Sequence, residues 1–191
     1  MEYVDIKTPE ELLIFMDGIQ YGFVDDAGIK YGSWDEDAFE KNVVTKWKLS
    51  CPEKLIQVGY GHCFDQVELE RDWFSRNGYS FKTYYIMFAF DEPNDYSTHT
   101  FLIYEENGEW KIFEHADYFN KGIHKFATLE EALLFEMNHH IEVNRKYNEI
   151  NEEVVKRLRV VEYTRPVENV DFQGFIDNVV ETGKDITSRF F

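Results

Sequence analysis

Apolar residues recur at helical spacing in some stretches of this chain and run almost unbroken in others, with polar punctuation between. Thr8-Pro9-Glu10-Glu11 puts a capping residue, a proline suited to the first helical position and early acids ahead of an apolar run, which predicts a short helix over Pro9 to Met16 that Gly18 ends. Ile19 to Tyr31 alternates aromatic and turn residues around Asp25-Asp26-Ala27-Gly28, the pattern of a short hairpin or an extended cover. Ser50-Cys51-Pro52-Glu53 has capping-box spacing and predicts a helix over Pro52 to Gln57. From Cys63 to about Arg76, residues Phe64, Val67, Glu68, Arg71 and Phe74 share neighbouring helical positions, and Asn77-Gly78 supplies the stop.

Tyr79 to Phe90 is dense in aromatic and β-branched residues and reads as a central strand, followed by a polar loop from Asp91 to Ser97. Thr98 to Tyr104 and Trp110 to Glu114 flank Asn107-Gly108, a strong hairpin signal. If those two residues form the turn, Glu106 faces Glu109, and His99 falls opposite Ala116 and diagonal to Glu114 on one face of the sheet. Asp117 then points to the other face, and a bulge or a longer loop would exchange the two acids. The same register sets Phe101, Ile103 and Ile112 beside the site as a surface for the Cys63 helix. Thr128-Leu129-Glu130-Glu131 opens a helix to about Asn144, with Leu133, Met137, His140 and Ile141 inward. A strand over Arg157 to Thr164 and an amphipathic helix at about 170–183 follow. The expected fold is one α+β domain over 1–191, its core at about 50–165, with helices packed on an antiparallel sheet of four or more strands.

Composition narrows the functional classes. At 191 residues and 43% hydrophobic content the chain suits one well-cored domain. A formal net charge of −17 repels a phosphate backbone, so nucleic acid is not expected, and if the acidic surface selects a substrate, that substrate is basic. The chain contains no run of about 18 uncharged apolar residues and opens on no signal-peptide pattern, so no membrane association and a cytoplasmic location are expected. Cys51 and Cys63 are too few for a disulfide framework and stand in no zinc spacing, and His139-His140 point in different directions on their helix; neither a metal nor a cofactor is expected.

The chemistry lies around three residues. Cys63 follows the glycine-containing loop Gly59-Tyr60-Gly61-His62 and starts a helix, whose dipole and unpaired N–H groups favour a thiolate. His99 offers a base, and a neighbouring carboxylate fixes its tautomer. Gly61-x-Cys63-x-Asp65, His99 before an apolar strand, and Gly108-x-Trp110-x-x-Phe113-Glu114 together resemble the transglutaminase-like branch of the papain-like cysteine enzymes, over about Gln57 to Ala116. The resemblance implies Cys63 as nucleophile, His99 as base and Glu114, where the family usually carries Asp, as the orienting acid. Gln57, six residues upstream of Cys63, resembles in spacing the oxyanion glutamine of papain-like peptidases. The implied fold is papain-like. The implied activity is amide hydrolysis or acyl transfer through a thioester, as a peptidase, amidase or transglutaminase-like enzyme; the alternative is an inactive module of the same family that binds peptides or proteins.

Overall fold

The computed structural model describes residues 2–90, 96–166 and 169–190, so most of the expected polar loop at 91–97 lies outside the described residues. In chain order it comprises α1 (Pro9–Met16), β1 (Gln20–Val24), β2 (Lys30–Gly32), α2 (Glu36–Lys46), α3 (Pro52–Val58), β3 (Tyr60–Gly61), α4 (Cys63–Arg76), β4 (Ser80–Ala89), β5 (Tyr96–Glu106), β6 (Glu109–Glu114) and β7 (Gly122–Phe126). After these come α5 (Leu129–Tyr147), α6 (Glu152–Val155), β8 (Arg159–Tyr163), α7 (Phe172–Thr182) and β9 (Lys184–Asp185). The fold is α+β. Its main sheet has six antiparallel strands in the order β7-β6-β5-β4-β8-β9, and a small sheet, β2-β1-β3, stands beside the start of α4.

Local chemistry accounts for most element ends. Thr8 and Thr128 each close a reciprocal capping box, with Glu11 and Glu131 respectively. At α3 the cap is Cys51, with no side-chain hydrogen bond, and not Ser50, whose N–H donates to Asp65. Asn107 and Gly108 both take positive φ (56° and 78°), the two-residue hairpin turn whose twist suits the flanking strands. Glu106 therefore pairs with Glu109, and the ladder runs to Leu102 opposite Phe113.

The alternation of β4, β5 and β6 divides the core into two sides. Tyr84, Ile86, Phe88, Phe101, Ile103 and Ile112 pack with Ala132, Leu133, Met137 and Ile141 of α5. Leu102, Tyr104 and Phe113 face the other way, against Leu69, Trp73 and Phe74 of α4, while Tyr85 and Met87 join Phe64, Val67 and the α7 residues Phe175 and Val179. This corrects one expectation: Phe101, Ile103 and Ile112 carry α5, and the Cys63 helix docks on the opposite face. The reason is the period of two along a strand, which offers a separate apolar stripe to each covering helix.

Five elements go beyond the sequence reading: the two-residue strands β3 and β9, and α2, β7 and α6. α2 carries polar residues on most of its surface and buries only Val43, so its apolar periodicity is weak. β7 is a short edge strand, and α6 is a single turn. No helix among the described residues is long and apolar enough to cross a membrane.

Candidate active site

Cys63 is the first residue of the fourteen-residue α4, and the preceding residue, His62, caps it. The His62 backbone N–H donates to Asp65 Oδ2 at 2.9 Å, and the His62 ring Nδ1 stands 3.4 Å from the Cys63 sulfur. Asp65 is a buried anchor: it also accepts from Trp47 Nε1 at 2.7 Å and from the Ser50 N–H at 2.8 Å. Burial raises its carboxyl to about 6 in spite of these donors. The nucleophile's helix start is thereby tied to the α2–α3 connection, which limits how far Cys63 can shift.

Cys63 has 0% of its surface exposed. Burial alone would push its thiol up, but the His62 and His99 imidazoles outweigh it and bring the thiol down to about 5. Tyr21 of β1 also lies against the sulfur, and burial followed by the sulfur's charge holds its phenol in the O–H form. β1 is thus the cover that the aromatic and turn pattern of Ile19 to Tyr31 suggested as one of two forms. It is also one strand of a hairpin with β2.

His99 and Glu114 meet just past the end of the β5–β6 ladder. His99 Nε2 donates to Glu114 Oε2 at 2.7 Å, which leaves Nδ1 as the nitrogen able to take a thiol proton. Burial disfavours a charged ring there, yet Glu114 and the Cys63 sulfur hold the His99 pKa well above its ordinary value. Glu114 Oε1 is itself fixed by the Asp117 N–H at 2.8 Å. Asp117, the other candidate third member, is engaged elsewhere: its Oδ2 accepts from His139 Nε2 at 2.7 Å. His139 is therefore not a solvated helix residue, and its neighbour His140 is buried and stacked on Phe88 with ring centroids 5.3 Å apart.

The structure brings Cys63, His99 and Glu114 into one neighbourhood and leaves Gln57 out of it. Gln57 is exposed on α3, because Leu55 turns into the core and a residue two positions later lies about 200° around the helix. The glutamine at the site is Gln66, one turn into α4. Its Nε2 donates to Gly61 O at 2.8 Å, and its Oε1 accepts from His115 Nδ1 at 2.6 Å. Burial, followed by the Lys121 charge, keeps His115 neutral by lowering it to about 4.

A cavity of about 690 Å³ opens onto this neighbourhood, lined by Ile19, Gln20 and Tyr21 on one side and by Ser97 to His99, His115 to Phe119 and the α5 residues His140, Val143 and Asn144 on the others. His99 and Tyr21 line it, and both lie against the buried Cys63 sulfur. Tyr118 and Phe119 stand at its rim, 85% and 61% exposed, and Phe119 stacks on Tyr147 at 5.6 Å.

Two further buried carboxyls escaped the sequence reading. Glu70 of α4 lies near Glu114, and Glu136 of α5 places a ligand-type atom within 4.8 Å of those of His99 and Glu114. Those three groups are the cluster among the described residues that could hold a metal ion, though the cavity reaches only His99 of the three. A signal for Glu136 was present: it falls in the same inward helical stripe as Leu133, Met137 and His140. Comparison with known proteins leaves the family open: no family model matches the chain, and no curated protein matches it.

Proposed function

We propose that this chain is a cysteine-dependent amidase, peptidase or acyltransferase of the transglutaminase-like, papain-like kind, acting in the cytoplasm through a thioester on Cys63. The observation that carries the reading is a thiol at a helix N-terminus, lowered to about 5 by two imidazoles, one of which is held by a buried carboxylate. A lone structural cysteine needs none of these partners.

The Cys63 thiolate attacks a carboxamide carbonyl and the C–S bond forms. The oxyanion that develops is stabilised by the N–H groups at the start of α4 and by the Tyr21 hydroxyl, the side-chain donor against the sulfur. His99, protonated and kept in orientation by Glu114, gives its proton to the leaving amine as the C–N bond breaks. Water or an amine then attacks the thioester, His99 takes the incoming proton, and the thiolate is restored. Water makes the reaction hydrolysis; an amine makes it acyl transfer.

A peptide or protein substrate suits the aromatic rim of Tyr118 and Phe119, and the net charge of −17 favours a basic one. One observation favours the second reading, a peptide-binding module without turnover: Cys63 has no exposed surface. Incubation with glutamine-containing and basic peptides, followed by mass spectrometry, separates the two. A Cys63 acyl adduct that is absent from Cys63→Ala supports the enzyme. Peptide binding with no adduct overturns it in favour of the module.

A further inference from the structure

Behind the His99–Glu114 pair stands a carboxyl that the catalytic scheme does not use. Glu136 is wholly buried on the inward stripe of α5, and its Oε2 accepts from Asn120 Nδ2 at 2.8 Å. Its other oxygen, Oε1, is buried and finds no hydrogen-bond partner among the described residues. One ligand-type atom each from His99, Glu114 and Glu136 lie within 4.8 Å of one another. The cavity reaches His99 and neither carboxyl, so the charge of the two acids is balanced inside the protein.

Two carboxylates this close, away from water and beside one imidazole, do not both ionise; one of them keeps a proton. Glu114 is the one engaged with His99, through a 2.7 Å hydrogen bond, and it also receives the Asp117 N–H. We infer that Glu136 is a positioning residue for this pair, a neutral acid that carries the shared proton and so leaves Glu114 as the carboxylate that orients His99. The inference rests on the reading of His99 as the base.

Other charged groups around Glu136 fit this assignment. Asp117 adds negative charge on the same side, His139 and His99 oppose it, and Glu70 approaches Glu114 from α4. Burial, then the Glu114 charge, raises Glu136 to about 8. Above that pH a second negative charge appears beside His99. The imidazolium then becomes a weaker acid and a poorer proton donor to a leaving amine, so turnover declines on the alkaline side.

The test is an NMR titration of the His99 ring and of glutamate side-chain carboxyl carbons in the full chain carrying Cys63→Ala, which removes the sulfur's own titration. The Glu136 carboxyl carbon is expected to titrate with a midpoint near pH 8, and the His99 ring resonances to shift with the same midpoint. Glu136→Gln, which can still accept from Asn120, is expected to abolish the His99 step, and Glu70→Gln to keep it. A Glu136 carbon titrating in the ordinary carboxylate range overturns the inference, and that measurement needs no Glu136 variant to fold. So does a His99 step that survives Glu136→Gln or disappears in Glu70→Gln. None of these readouts involves Cys63, so a failed thioester assignment leaves them intact, and their failure leaves a Cys63 adduct intact.

Discussion

The Tyr21 phenol lies against the Cys63 sulfur, and Cys63 has no exposed surface, so the route from the cavity to the thiol depends on β1. β1 is held to the start of α4 by its short parallel pairing with β3, Gln20 with Tyr60 and Tyr21 with Gly61, and by Tyr21 packing on the His62 ring at 5.5 Å. Tyr21→Ala is expected to raise the rate at which bulky maleimides label Cys63 by at least tenfold, and that of iodoacetamide by less. Tyr21→Phe keeps the cover and removes the hydroxyl, so it should leave labelling slow while lowering turnover. Equal labelling in wild type and Tyr21→Ala would show that the thiol is reached by another route.

Cys63 should react as a thiolate well below neutral pH. With its thiol lowered to about 5, the iodoacetamide rate should rise through that pH and be flat by pH 7. A profile still rising above pH 8 would contradict the ion pair with His99. Cys63→Ala should abolish turnover with the fold retained by circular dichroism.

Glu114 and Asp117 should behave differently on substitution. Glu114→Gln removes the carboxylate on His99 Nε2, and turnover is expected to fall by a factor on the order of a hundred or more, with labelling of Cys63 partly kept. Asp117→Asn removes the charge that faces His139 and should cost less than tenfold. His99→Ala should reduce the low-pH reactivity of Cys63, with His62 supporting the part that remains. Gln57→Ala, on an exposed face of α3, should leave kcat unchanged.

His140 should make the fold sensitive to acid. Burial, with the His99 charge adding to it, lowers His140 to about 3 from an ordinary 6.5. As pH falls below 6.5 the unfolded chain binds a proton that the folded chain refuses, so stability is lost progressively until about pH 3, where both forms are protonated. The slope from one such group is at most about 1.4 kcal/mol per pH unit. His140→Phe keeps a ring on Phe88 and should flatten the fall. Urea midpoints of both proteins between pH 4 and 7 measure it, and parallel curves would refute the assignment.

Some of this protein could be read directly from its residues because local rules decide it. Thr8 and Thr128 open helices in any context that leaves their N–H groups unpaired, and Asn107-Gly108 accepts two positive φ angles more readily than almost any other pair. Once that turn is set, the parity of the strands follows, and with it the approach of Glu114 to His99 and the release of Asp117 to another partner. A helix beginning at Cys63 was legible for the same reason.

Other features depend on what packs against what, which no local rule contains. Gln57 and Gln66 are both glutamines near the nucleophile, and only the burial of Leu55 and of α4 on nearly every side decides that the first faces solvent and the second faces the site. The placement of α4 and α5 on opposite faces of one sheet decides that Phe101 and Ile103 serve α5. The same placement brings Glu136, twenty-two residues beyond Glu114, to within 4.8 Å of it. A sequence shows that a carboxyl falls on an apolar stripe. Which charges surround it, and so whether it keeps its proton, is set by Coulomb energies over a few ångströms in a medium without water, and those distances exist only once the chain has folded.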